Sequence, residues 1–257
     1  MTKELFEKVI TEVAPFTRIV TLHLMGEPLA HPDLKTFLDL CMNQKLQVYF
    51  VTNGVLLKDP ELLLHPALRQ VSFSLHSYYD NFPDKDPSLY LNRIFDFTQL
   101  AFEKRPNLFI NYRLWNLNSI KGNHKHNEII YQSIEKRFGI TIPRDWNFEK
   151  DKSLKLLNYL ALHYETEFIW PSLELPVRGT QGTCHGLKNH FGILADATVV
   201  PCCLDKEGKI PLGNIALTPL KEILKSPRSQ AMIRGFQRHH LIEDLCQRCP
   251  YIERFEA

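Results

Sequence analysis

"RIVTLHLMGEPLAHPDL", residues 18–34, runs from an alternating apolar stretch through a Gly-Glu-Pro turn into the start of an amphipathic segment. Alternate residues of an extended chain point to opposite faces, so Val20, Leu22 and Leu24 share one side and Thr21 and His23 the other. Gly26 allows close backbone approach and Pro28 stiffens the turn, which holds Glu27 at the end of a strand. On either side the periodicity is helical. "TKELFEKVITEVA" aligns Leu5, Val9, Ile10 and Val13, and "DLKTFLDLCMNQ" aligns Leu34, Phe37, Leu38 and Cys41, which makes Cys41 a buried core thiol.

The alternation continues outward. "QVYFVTNG" reads as a strand, "ELLLHPAL" as a short helix, "QVSFSLHS" as a strand, "LNRIFDFTQLAFEK" as a helix and "NLFINYRLW" as a strand. Such a series implies βαβ units and a parallel sheet, an α/β fold. Residues 116–150 interrupt the rhythm and read as an insertion with a helix over "EIIYQSIEKRFG". A helix over "KSLKLLNYLALHY" and a last strand, "EFIWPSLE", are expected to follow. The same parity recurs in three strands. Val71, Phe73 and Leu75 oppose Ser72, Ser74 and His76, while Leu108, Ile110, Tyr112 and Leu114 oppose Asn111 and Arg113. If the apolar faces meet helices, the polar faces line the inside of a barrel. Unpaired polar groups cost about 1–3 kcal/mol each to bury, so a polar interior implies water or a polar ligand. An open doubly wound sheet with one wet face is the alternative, and either architecture places its site at the C-terminal strand ends.

Composition narrows the partners. The chain has 257 residues, 44% hydrophobic, with 31 basic and 29 acidic side chains and a formal charge of +2. That near-balance argues against nucleic acid and anionic membranes as partners. No run approaches the roughly 20 apolar residues of a membrane span, and the first twenty residues lack a signal-peptide core, so a cytoplasmic location is expected. Five of the six cysteines fall after residue 183. From about residue 178 the text turns to clustered Gly, Cys and Pro, giving expected domains of 1–177 and 178–257.

Two sites stand out. The strand ends "MGEP" (25–28), "TNG" (52–54), "LHS" (75–77) and "RLW" (113–115) converge on one mouth in a parallel α/β protein. In the tail, Cys246 and Cys249 have the C-x2-C spacing of paired metal ligands, and Cys184 with Cys202 or Cys203 completes four. Cys202 is favoured, with Cys203 as its substitute. Four thiolates suit a structural zinc or an iron-sulfur cluster, and spacing alone leaves both open. Either requires a hairpin over "GILADATVVPC". His124 and His126 are expected in a solvated loop, and His239 and His240 at the surface.

Taken together, "LHLMGEPLAHPDL", "VYFVTNG", "VSFSLHS" and the cysteine tail resemble a radical S-adenosylmethionine protein with a C-terminal SPASM or twitch domain. The resemblance covers nearly the whole chain in order. It implies a partial (β/α)6 TIM-like barrel with a small Cys-rich iron-sulfur domain, S-adenosylmethionine as cofactor, and hydrogen abstraction by a 5′-deoxyadenosyl radical. It places Gly26, Glu27 and Pro28 at the methionine amino group. Asn53, Ser74, His76 and Arg113 fall among the polar strand-end positions, with Asn53, Ser74 and Arg113 around the ribose and carboxylate. It puts one auxiliary [4Fe-4S] cluster on Cys184, Cys202, Cys246 and Cys249. The implied partners are a peptide, protein or other natural-product substrate and an electron donor such as flavodoxin or ferredoxin. Met25 stands where the family often has a further glycine. The family's C-x3-C-x2-C loop, which holds the catalytic cluster, has no counterpart, because Cys41 is the only cysteine before Cys184. The barrel's first strand is missing with it. Met1 is therefore expected to be an internal methionine of a longer protein, in whose full-length form a second [4Fe-4S] cluster belongs. The alternatives are a degenerate binding protein that keeps one cluster, and a zinc-tailed barrel enzyme.

Overall fold

The computed structural model describes residues 1–117, 126–147, 150–167 and 169–255. The chain forms two compact units, Arg18–Glu167, and Met1–Thr17 together with Phe168–Ala257. The second unit thus begins earlier than 178 and takes in the N-terminal helix, α1 (Lys3–Val13).

In the Arg18–Glu167 unit, β1 (Ile19–Thr21) leads to α2 (Leu34–Asn43), β2 (Gln47–Thr52), β3 (Leu68–Ser74), α3 (Ser77–Asn81), α4 (Ser88–Lys104) and β4 (Phe109–Leu117). Then come α5 (Asn127–Phe138), β5 (Ser153–Leu157) and β6 (Leu160–Thr166). One sheet runs β1-β2-β3-β4-β6-β5. All its pairings are parallel except β5 with β6. This is the mixed α/β sheet of a partial barrel, and β1 is only three residues long.

The parity argument describes the core in β3 and β4 except at Ser72, which is buried, and fails at β1, which ends at Thr21 and leaves Val20, Leu22 and Leu24 half-exposed. Val48, Phe50, Val71, Phe73, Leu75, Ile110, Tyr112, Leu114, Leu160 and Leu162 are all essentially inaccessible to solvent. Ser74, His76, Asn111, Arg113 and His163 keep partial access. Cys41 is fully buried, as its place on the Leu34, Phe37 and Leu38 face of α2 requires.

Two expectations fail here. The helix over "KSLKLLNYLALHY" is the β5–β6 hairpin, turning at Asn158-Tyr159. Leu154, Leu160, Leu162 and Tyr164 are buried while their neighbours are not, which is the period of two of a strand. Leucines spaced closely enough also satisfy a helical template, and the Asn-Tyr turn is what separates the two cases. The described part of "EFIWPSLE" is not a strand, since β6 ends at Thr166. The stretch 116–150, read as an insertion, carries α5 in the position of an ordinary crossover helix between the parallel strands β4 and β6. Gly139, at φ 65°, closes α5 in the left-handed conformation.

The second unit has a three-stranded antiparallel sheet, β7 (Gly192–Ile193), β8 (Thr198–Val200) and β9 (Gly213–Asn214). Its helices are α6 (Leu220–Lys225), α7 (Pro227–Gln237) and α8 (Asp244–Gln247). α1 is tied in at two points. Lys8 Nζ donates to Ala216 O at 2.8 Å, and Glu12 Oε2 accepts from Leu220 N at 2.9 Å. The expected hairpin is β7–β8, and it delivers Cys202 and Cys203. Asp205, 1% exposed, fixes the following loop by accepting from Lys209 N and Ile210 N. Among the described residues no helix is long and apolar enough to cross a membrane.

Candidate functional site

At the C-terminal ends of β1 and β2, Glu27 acts as a latch. Its Oε1 accepts from Thr52 Oγ1 at 2.6 Å and from Leu29 N at 3.0 Å, and its Oε2 accepts from Asn53 N at 2.8 Å. The Gly-Glu-Pro turn is thereby fastened to the Thr52-Asn53-Gly54 turn. Asn53 Oδ1 is spent on Val55 N, which leaves its amide nitrogen free to donate. Tyr90 OH donates to Asn53 O at 2.7 Å, and Thr52 Oγ1 accepts from Gly54 N at 2.9 Å. Gly54 has φ 74°, and a Cβ there would lie 2.9 Å from Ile94 Cδ1 and 3.2 Å from Phe73 Cδ1. Both neighbours are fully buried, so they must repack to admit the methyl. Gly54→Ala should therefore cost about 2–3 kcal/mol, from the left-handed backbone and overpacking together. Urea unfolding checks this, and a loss below 0.5 kcal/mol, the ~0.5 kcal/mol scatter of ordinary surface changes, would contradict the packing.

Across the sheet, register sets a polar row. Ser74 lies beside Arg113, and Arg113 beside His163. The Arg113 guanidinium lies 3.4 Å from the centre of the Trp115 ring. Trp115 Nε1 in turn donates to His163 Nδ1 at 3.0 Å. His76 Nδ1 is 3.0 Å from Arg113 O and 3.3 Å from Trp115 N, so its ring is pinned to the β4 backbone. Arg113 Nε and His23 Nδ1 are both buried with no hydrogen-bond partner. No carboxylate among the described residues pairs with Arg113.

Burial pushes Arg113 down to about 10, so it stays cationic at neutral pH. Burial lowers His23, with the Arg113 charge as the second cause, and lowers His163 in the same way. Burial also dominates at His76, where the hydrogen bond to Arg113 O opposes it. The result is one half-buried cation among imidazoles that burial makes harder to protonate. A buried charge without a counter-ion is costly, and an incoming anion would relieve it.

The structure brings Glu27, Pro28 and Asn53 together, and separately aligns Ser74, His76 and Arg113. Gly26, at φ 121°, is exposed, and nothing lies within 4 Å of where its Cβ would stand. Three contributors escaped the sequence reading. Thr52 directly precedes Asn53-Gly54, Trp115 ends the "RLW" stretch, and His163 was hidden by the mistaken helix. His126, expected in solvent, stacks on Tyr79 with ring centres 3.9 Å apart, whereas His124 lies outside the described residues. His239 and His240 are exposed, as expected.

In the second unit Cys184 is the electrostatic hub, its charge raising Cys202, Cys203, Cys246 and Cys249. Burial is the larger cause for each, carrying Cys202 to about 12 and Cys246 well up. Cys246 also feels Cys202 and Cys249. Cys203 is exposed, and Cys184 is the neighbour that raises it. Cys249 N donates to Cys246 O at 3.2 Å, which curls the C-x2-C segment. Gly186 sits between the two ligand-bearing segments. A Cβ there would lie 3.1 Å from Pro201 O and 3.7 Å from both Cys184 Sγ and Cys202 Cβ. Among the described residues no three Cys, His, Asp or Glu side chains are grouped tightly enough for a single metal ion. Half-buried thiols that would repel one another as thiolates suit a shared cationic centre, and a four-cysteine donor set fits an iron-sulfur cluster.

This mixed α/β fold is shared with solved structures over nearly the entire chain. SuiB of Streptococcus suis bound to precursor peptide SuiA is 14% identical, with a TM-score of 0.58 over 100% of this chain and 66% of that one. BtrN in complex with AdoMet and 2-DOIA is 17% identical, with a TM-score of 0.56 over 97% and 80%. The anSMEcpe structure with bound AdoMet is 14% identical, with a TM-score of 0.52 over 100% and 76%. Residues 184–250 match the SPASM family, an iron-sulfur cluster-binding domain. No curated protein matches the chain.

Proposed function

We propose that the chain binds S-adenosylmethionine at the strand ends of the Arg18–Glu167 unit. We further propose one [4Fe-4S] cluster on Cys184, Cys202, Cys246 and Cys249, serving the radical modification of a peptide, protein or other natural product. The observation that carries the reading is Arg113, half-buried, with its Nε unpartnered and no carboxylate paired to it among the described residues, and aligned with Ser74. It would take the methionine carboxylate. A carboxylate offers about four lone-pair positions. Glu27 uses three of them, so one remains for the methionine ammonium. Asn53 Nδ2 and Ser74 Oγ would serve the ribose hydroxyls. His76 and His163, kept neutral, donate or accept without adding charge. When bound, the cluster supplies electron transfer at low potential. AdoMet in BtrN and anSMEcpe supports the cofactor, and SuiA in SuiB supports a peptide substrate. An electron donor of the flavodoxin or ferredoxin kind would be needed.

A second reading, binding without radical generation, draws on Cys41. It is the one cysteine before Cys184, and burial pushes it up to about 12.

Calorimetric titration with S-adenosylhomocysteine, which retains the amino-acid end, tests the ligand site. Arg113→Met should weaken binding at least about tenfold, or ~1.4 kcal/mol. Arg113→Lys should recover part of it. Equal affinity for the wild type and Arg113→Met would overturn the assignment.

A further inference from the structure

We infer that the open cavity between the 78–86 segment and α4 docks a peptide segment carrying an aromatic or leucine side chain next to a carboxylate. This inference rests on the peptide part of the proposed function. The cavity holds about 320 Å³, within the ordinary range for ligand sites. Its walls are Val55, Tyr78, Phe82, Leu89 and Tyr90. Tyr78 and Tyr90 stack with ring centres 4.5 Å apart and planes 21° apart. Both hydroxyls are spent, Tyr78 OH on Asp86 O and Tyr90 OH on Asn53 O. An occupant therefore meets fixed aromatic surface and no idle tyrosine hydroxyl. Leu89 is 79% exposed at the start of α4, and an apolar side chain in the cavity would cover it.

The rim supplies the charge selection. Lys85 and Arg93 border the cavity, and neither forms an ion pair among the described residues. The Lys85 ammonium lies 4.7 Å from the centre of the Phe82 ring. Asp86 is also on the rim, but its Oδ1 accepts from Ser88 N at 3.2 Å and from Ser88 Oγ at 2.8 Å. Two cations without ion pairs among the described residues thus outnumber the one carboxylate on the rim, which favours an anionic occupant. The site also bears on the ligand turn. Tyr90 holds Asn53 O, Val55 is next to Gly54, and Gly54 packs on Ile94 of the same helix. A docked peptide would brace the turn that receives the nucleoside.

Fluorescence anisotropy of the purified chain with fluorescein-labelled Glu-Phe-Leu-Glu, Lys-Phe-Leu-Lys and Glu-Ser-Ser-Glu tests this. The first peptide should bind at least about tenfold more tightly than the other two. Arg93→Glu and Leu89→Ser should each remove most of that preference, and Arg93→Lys should keep it. Similar affinities for all three peptides, or indifference to Arg93→Glu in a variant with unchanged circular dichroism, would overturn the inference. S-adenosylhomocysteine binding, measured on the same samples, separates the two ideas. Peptide failure with that binding intact removes the docking site alone, and loss of nucleoside binding removes the ligand-site reading.

Discussion

Glu27→Ala is expected to destabilise the Arg18–Glu167 unit by about 2–4 kcal/mol, one of the largest effects of any polar substitution in it. Each hydrogen bond to a charged group is worth about 1.5–3 kcal/mol, and three converge on this carboxylate. The full sum does not apply, because Glu27 is only half-buried and Leu29 N can turn to water. Thr52 cannot, since its side chain is 2% exposed. Glu27→Gln should restore little, because its NH2 group would oppose a donor where Glu27 presents an acceptor. A double-mutant cycle with Thr52→Val isolates the shared bond and should give a coupling of about 1–2 kcal/mol. Urea denaturation reads all four variants, the two at Glu27, Thr52→Val and the double variant. A Glu27→Ala loss inside about 0.5 kcal/mol would mean that the carboxylate does not hold the turns together, and would leave ligand binding as its whole role.

That result bears on how the Gly-Glu-Pro stretch is to be understood. Sequence placed Glu27 at a strand end facing a cavity. What it could not show is that the carboxylate spends itself mainly on the neighbouring turn, since Thr52 and Asn53 lie 25 and 26 positions away in the chain. Side-chain parity fared better, because a strand's two faces are written into its own residues. The fully buried Val71, Phe73 and Leu75 and the partly accessible Ser74 and His76 follow the alternation. The row of Ser74, Arg113 and His163 was only partly legible. Register between strands depends on how the helices between them pack, and that is not local. Trp115 illustrates the limit. An aromatic at a strand end has many uses, and only the folded chain sets its ring over Arg113 and its N–H on His163. The β5–β6 hairpin was misread for a local reason, as its leucines satisfy two periodicities at once.

Anaerobic reconstitution of the chain is expected to load about four irons, with matching sulfide, from a single four-thiol site. Cys246→Ala and Cys249→Ala should each reduce that loading to near zero, because the curled C-x2-C segment is proposed to supply two of the four ligands. Gly186→Val should do the same with all cysteines in place. Its side chain would enter the 3.1 Å gap to Pro201 O and force the Cys184 and Cys202 segments apart. Cys202→Ala and Cys203→Ala separate the two adjacent thiols. Cys202 is coupled to Cys246 as well as to Cys184, whereas the exposed Cys203 is raised by Cys184. Cys203→Ala should therefore leave iron content and the visible absorption of the cluster unchanged. Cys202→Ala should lose them, unless Cys203 swings in, in which case only the double variant is empty. Stoichiometric zinc without sulfide in anaerobically purified protein would replace the cluster with a structural zinc. The loaded polypeptide, mixed with dithionite and S-adenosylmethionine, is expected to form no 5′-deoxyadenosine. Its one thiol outside the tail, Cys41, is sealed in the α2 core and cannot join a second cluster. Detection of that product from the pure chain would overturn this expectation.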